Sequence, residues 1–123
     1  TKIPHLIGLA SGEPFALAGI WSAWRPKDVL EVEPLLSCAI ITTAANAAVR
    51  AIHERMPVVL PREAEARWLD PALDGNVDAL LALLVPVASE SLAAQPISRR
   101  VNSVRNDDPS LLELATDDPQ LGF

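Results

Sequence analysis

The sequence predicts an α+β fold, and three observations carry that expectation. Short apolar or β-branched runs, such as residues 4–9, 37–43 and 56–60, have the length of strands. Between them lie stretches with helix-forming composition and helix-capping residues. No regular strand–helix–strand rhythm links the two kinds of segment, which argues against a wound parallel sheet.

Taken in order, residues 4–9 (Pro-His-Leu-Ile-Gly-Leu) read as a strand and Ser11-Gly12-Glu13-Pro14 as a turn. Residues 15–20 read as the returning strand, so the two runs are expected to form a hairpin. Trp21 to Glu33 is polar and mixed and contains Pro26, which predicts a loop. Ser37 to Thr43 is apolar and β-branched and reads as a buried strand. Ala44 to Arg50 is alanine-rich, has Asn46 near its start, and favours a helix. Met56 to Leu60 reads as a short strand.

Pro61 opens a helix that runs to about Leu69, with Glu63 and Glu65 early, where the helix dipole favours acids, and Trp68 on its apolar side. Asp70-Pro71 stops it. A further helix is expected from Val77 to Leu84 with Asn76 as its N-cap. Ile97 to Val101 reads as a strand, Asn102 to Pro109 as a polar loop, and Ser110 to Ala115 as a short helix. Residues 116–123 are expected to be a flexible tail.

At 123 residues the chain is one domain or part of one. Half of its residues are hydrophobic, enough to form a core and to argue against general disorder. A net charge of −6 excludes a sequence-blind polycation, while leaving a local basic groove open. The single cysteine, Cys38, excludes an intramolecular disulfide and a paired-cysteine metal site, and it fits a reducing compartment. No stretch approaches the roughly 18 apolar residues of a membrane span. The chain opens at Thr1, not at Met, and almost at once enters a strand-like run. Residues are therefore expected to be missing upstream.

Several groups of residues have chemistry in them. In Ile52-His53-Glu54-Arg55-Met56-Pro57, a histidine beside an arginine and a glutamate suits proton transfer near neutral pH, and Arg55 suits a phosphate. The same residues also read as an ordinary helix C-terminus, where His and Arg favour the dipole. Thr42 and Thr43 offer hydroxyls at a strand end, or are simply good strand formers. Ser98 to Arg105 concentrates basic charge and reads either as a nucleic-acid edge or as a solvated loop. Trp21, Trp24 and Trp68 suit base stacking or a core edge. Cys38, within an apolar strand, is expected to be buried and inert. No Gly-rich phosphate loop and no metal-ligand spacing is present.

The series Phe15-Ala16-Leu17-Ala18-Gly19-Ile20-Trp21, Ile40-Ile41-Thr42-Thr43-Ala44-Ala45-Asn46, Ile52 to Leu60, Trp68-Leu69-Asp70-Pro71 and Ser98-Arg99-Arg100-Val101-Asn102 resembles the SRAP family, the SOS-response-associated peptidase-like proteins. Each segment alone is weak, but their order spans nearly the whole chain. The family pattern around its histidine is His-Asp-Arg-Met-Pro, and Glu54 stands here in place of Asp.

The resemblance implies a mixed, mainly antiparallel, barrel-like β core with peripheral helices. It also implies a cytoplasmic DNA-damage protein that binds single-stranded DNA and crosslinks abasic sites. In such proteins the α-amine and thiol of an N-terminal cysteine condense with the sugar aldehyde, giving an imine and then a thiazolidine. An α-amine with a pKa of about 8 is partly neutral at pH 7, as that attack requires.

Carried over residue by residue, His53 would be the catalytic proton carrier, and Thr42, Arg55 and Asn102 would be DNA-facing. No cofactor, metal or membrane is implied. The reactive cysteine, an upstream Asn and the Glu of a Gly-x-x-Glu-Trp segment are absent from these residues. Cys38 cannot replace the cysteine, because a mid-chain residue has no free α-amine. Residues 1–115 are thus expected to be the C-terminal part of one domain whose N-terminal half is a partner, and to lack crosslinking alone. The rival readings are a self-processing cysteine peptidase and a non-catalytic interaction module.

Overall fold

The computed structural model describes residues 3–27 and 32–115. It contains eight short strands among these residues, all paired antiparallel, with three short α-helices around them, so the α+β class holds. The strands are β1 (His5–Leu9), β2 (Ala16–Leu17), β3 (Gly19–Trp24), β4 (Leu35–Ile40), β5 (Thr42–Ala44), β6 (Arg55–Pro57), β7 (Val59–Leu60) and β8 (Leu92–Pro96). The helices are α1 (Ala47–Arg50), α2 (Arg62–Trp68) and α3 (Val77–Leu81). The ladders are β1–β8, β2–β7, β3–β4 and β5–β6, and they do not close into a barrel.

Three of these ladders meet at one point. The Ala18 N–H donates to the Val58 carbonyl at 2.9 Å, Val58 N–H to Ile41 at 3.0 Å, and Ile41 N–H to Ala18 at 2.9 Å. Each residue gives one backbone hydrogen bond and takes one, so the three close a ring. Each also sits at a strand break: Ala18 between β2 and β3, Ile41 between β4 and β5, Val58 between β6 and β7. Three extended segments thus exchange partners around a common node. Ala18 and Val58 are fully buried there, and every backbone group of the ring is satisfied.

This node corrects several sequence expectations. Ser37 to Thr43 is not one buried strand: it divides at Ile41, and β4 is exposed along its whole length. Met56 to Leu60 divides in the same way at Val58. The expected 4–9/15–20 hairpin does not form. His5 to Leu9 pairs instead with Leu92–Pro96, in register from His5–Pro96 to Leu9–Leu92, and Ala16–Leu17 pairs with Val59–Leu60. The distant pairing puts Ile7 and Leu9 against the core residue Leu92, which a local hairpin would not do. The expected loop from Trp21 begins as strand, because Trp21 to Trp24 pair with Leu35 to Cys38.

The core has two parts. Ala45, Val49, Met56 and Leu92 are buried together, with Ile7, Leu9 and Val87 against them. Ala18, Val58 and Leu60 form the second group, with Ile41, Trp68, Leu83 and Leu84 packed on it. Trp68 is on the apolar side of α2, as its helical position predicts, and its indole Nε1–H donates to the Gly19 carbonyl at 3.1 Å. Gly19 needs to be small, since a Cβ there would lie 3.3 Å from the Ala39 carbonyl oxygen across the ladder.

Asn46 caps α1 by accepting from Val49 N–H at 3.1 Å and also donates through Nδ2 to the Val87 carbonyl at 2.9 Å. Asn76 caps α3 as expected, but that helix ends at Leu81, short of the expected Leu84. The segment expected as a strand over Ile97–Val101 is a 3-10 turn over Arg99–Asn102, with only Ile97 bridging Leu114. The Ser98 hydroxyl accepts from Arg100 N–H at 3.3 Å, offering the backbone a turn in place of a ladder. The last helix is likewise a 3-10 turn, Pro109–Leu112. The expected tail, 116–123, lies outside the described residues. Among those described, no helix is long and apolar enough to cross a membrane.

Candidate functional site

The pairing of β5 with β6 sets the site. Its register is Thr42–Pro57, Thr43–Met56 and Ala44–Arg55, and Ala45 N–H donates to Glu54 C=O at 2.9 Å in the next pair. Antiparallel pairs alternate between hydrogen-bonded and open types. With Ala45–Glu54 bonded, Ala44–Arg55 is open, so the backbone N–H and C=O of Arg55 point away from β5. The face carrying Met56 is turned into the core, where Met56 is buried. The opposite face carries Thr42, Ala44, Arg55 and Pro57, all exposed. Pro57, which has no N–H, falls at an open pair and costs the ladder nothing.

His53 lies on the turn that joins α1 to β6, its backbone N–H donating to Val49 C=O at 2.9 Å. Its imidazole is exposed, and Nδ1 reaches the freed backbone of Arg55: 3.0 Å to the nitrogen and 3.0 Å to the oxygen. With the ring neutral and its proton on Nε2, Nδ1 accepts from Arg55 N–H. With the ring protonated, Nδ1–H donates to the Arg55 carbonyl. One residue's backbone thus offers Nδ1 a donor in one state and an acceptor in the other. No hydrogen bond among the described residues uses Nε2.

Arg55 crosses diagonally to Thr42, two positions along the same face. Its Nε–H donates to Thr42 Oγ1 at 3.0 Å, and Nη2 donates to Oγ1 at 2.9 Å and to the Thr42 carbonyl at 2.6 Å. Three of the residues singled out from sequence, Thr42, His53 and Arg55, thus join through one side chain and one stretch of backbone. Arg50, at the end of α1, is turned back to its own helix entry, donating to Ala45 C=O at 3.3 Å.

Asn102 is not part of this group. It ends the 3-10 turn Arg99–Asn102 and is exposed. No hydrogen bond among the described residues joins it to Thr42, His53 or Arg55. The basic segment around it is partly neutralised: Arg100 pairs with Asp108 at 2.9 Å and donates to Ser110 Oγ at 2.8 Å. The Ser110 hydroxyl donates to the second oxygen of Asp108, and that bond, followed by the Arg100 charge, holds the Asp108 carboxyl below its usual range.

Cys38 is exposed on β4, which corrects the buried, inert reading, and Trp21 and Trp24 are also exposed. An open groove of about 780 Å³ lies elsewhere, lined by Leu9, Phe15, Leu60, Arg62 and Glu65 among others, and shares none of the site residues. Among the described residues, no group of His, Cys, Asp and Glu could hold a metal ion. Sequence reasoning missed the clamp between Arg55 and Thr42. Its only sequence signal is that Thr42 and Arg55 stand next to the inward-facing Thr43 and Met56.

A core of partner-exchanging antiparallel ladders thus presents an arginine on an outer strand face, with a histidine on the turn beside it. The family model for SOS response associated peptidase (SRAP) matches residues 1–104, and the chain belongs to that family. It is 42% identical over 113 residues to the abasic site processing protein YoqW of Bacillus subtilis, covering 92% of this chain and 49% of that one. It is 41% identical over 97 residues to the abasic site processing protein HMCES of Gallus gallus, covering 78% of this chain and 27% of that one. A crystal structure of a Bacteroides thetaiotaomicron protein superposes with a TM-score of 0.78 at 33% identity, covering 94% of this chain and 49% of the other. The chain therefore spans about half the length of the bacterial relatives it matches, or less.

Proposed function

We propose that the full-length protein containing this chain processes abasic sites in single-stranded DNA by forming a covalent crosslink to them. The observation that carries the reading is the coupling of His53 to the Arg55 backbone, which leaves Nε2 as the working nitrogen of an exposed imidazole. The chain's similarity to abasic site processing proteins supports it.

In this reading the nucleophile is an N-terminal cysteine outside these 123 residues. Its neutral amine attacks the sugar aldehyde and releases water as an imine forms. Its thiol then adds across the imine carbon, and the nitrogen takes the proton, closing a thiazolidine. His53 carries the proton to and from the sugar ring oxygen as the ring opens and, in reversal, closes. Arg55 meets the DNA backbone, where a guanidinium pairs with a phosphate through parallel N–H donors. Thr42 and Asn102 are the further DNA-facing residues of this reading, Asn102 from a separate turn.

The rest of the domain packs on β3–β4. Trp21 is 75% exposed, and Leu35 and Leu36 are 66% exposed, on a ladder whose residues are exposed along both strands. These exposed apolar side chains support that packing, and a part of comparable length is present in the bacterial relatives.

His53→Ala in the full-length protein tests the central assignment. Slower crosslink formation or reversal on abasic single-stranded DNA is expected; unchanged rates for both would remove His53 from the mechanism.

A further inference from the structure

We propose that Thr42 is a positioning residue for Arg55, acting through the guanidinium. This rests on the DNA-binding reading above and deepens it. Arg55 has five N–H donors in a rigid planar fork. Thr42 engages the fork on one side only: its hydroxyl oxygen accepts from Nε and Nη2, and its carbonyl accepts from Nη2 at 2.6 Å. Nη1 takes no part in any of these bonds. An otherwise free arginine gives up rotamer freedom when it binds, and here the guanidinium is already held by Thr42. The edge carrying Nη1 is left as the guanidinium's binding edge.

The contact has a second consequence for the threonine. Its Oγ1 takes two donors from the same guanidinium edge, Nε–H and Nη2–H, so the hydroxyl serves this contact as an acceptor. A lysine at position 55 could not reproduce this, because an ammonium is a point charge without the fork. Valine at position 42 keeps the shape and strand preference of threonine but removes the hydroxyl. Serine keeps the hydroxyl.

The test uses full-length protein carrying Thr42→Val, Thr42→Ser, Arg55→Gln, and Arg55→Gln combined with Thr42→Val. Two readouts keep the two layers apart. The first needs no DNA: the Arg55 side-chain Nε–H resonance in nitrogen-15 spectra. It is expected to be protected from solvent exchange in wild type and Thr42→Ser, and to broaden or vanish in Thr42→Val.

The second is affinity for a single-stranded oligonucleotide at fixed salt. Thr42→Val is expected to weaken binding roughly tenfold, the order of a lost hydrogen bond to a charged group. Thr42→Ser should restore most of it, and Thr42→Val should add nothing in the Arg55→Gln background. Independent, additive losses would overturn positioning and leave Thr42 as a separate DNA contact. An unchanged Nε–H signal in Thr42→Val would overturn it as well. Protection of Nε–H with no DNA binding by any variant, wild type included, would uphold the clamp and overturn the DNA reading instead.

Discussion

Nδ1 of His53 lies 3.0 Å from both the backbone nitrogen and the backbone oxygen of Arg55. One strand residue thus supplies a donor for the neutral ring and an acceptor for the charged one. The alternation of the β5–β6 ladder makes this possible, since it turns exactly one residue's peptide groups outward beside the α1 turn.

The first prediction separates holding from proton transfer. Asparagine at position 53 can accept from Arg55 N–H but cannot carry a proton near neutral pH. His53→Asn in the full-length protein is expected to fold and to bind single-stranded DNA as wild type does. Its crosslink formation or reversal should be slowed by roughly 10²-fold or more, the usual scale of general acid–base help. Single-turnover gel assays would measure it.

A second prediction concerns the three-way node. Ala18 is fully buried where three backbones meet. Ala18→Leu is expected to cost about 1–3 kcal/mol by overpacking. Chemical denaturation followed by tryptophan fluorescence would show it.

Asn46 is the third. Its oxygen caps α1 and its amide holds the Val87 carbonyl. Asn46→Ala loses both and should destabilise by about 1–2 kcal/mol. Asn46→Ser keeps a capping oxygen and loses the amide donor to Val87. It is expected to fall between alanine and wild type in the same denaturation experiment.

The Asp108 carboxyl predicts a pH dependence. Its folded pKa is lowered, first by the Ser110 hydroxyl and then by Arg100. A carboxylate of this kind stabilises above its unfolded pKa, and the contribution is lost as pH falls through the lowered folded value. Asp108→Asn keeps a capping oxygen but has no charge. Its melting temperature should lie below that of wild type at pH 7, and the gap should close below about pH 3.8 as the carboxyl protonates.

The legible part of the fold was what depends on neighbours in sequence. Asn76 as a cap, Pro61 before α2 and Trp68 on its apolar side all follow from local chemistry and are present, while the helix expected over Ala44–Arg50 starts only at Ala47, with Asn46 as its cap. Strand partners were not legible. Residues 4–9 are followed by a good turn, yet their partner lies more than eighty residues away. Ile41 and Val58 look like strand interiors because nothing in a β-branched run marks an exchange of partners. The burial of β4 was misread for a related reason: an apolar strand looks the same whether its cover lies within the chain or outside it.

In the site, His53 and Arg55 stood out through their chemistry. The clamp to Thr42 did not, because it depends on the register of β5 with β6. Asn102 was grouped with them by family pattern alone, and it stands on a separate turn.

The most direct measurement is the intact mass of the full-length protein before and after incubation with a single-stranded oligonucleotide carrying one abasic site. A new species heavier by one oligonucleotide, less the water lost on condensation, is the expected result. It should be missing when the oligonucleotide is undamaged. A protein mass unchanged by the abasic strand, under conditions where the strand is bound, would contradict the account.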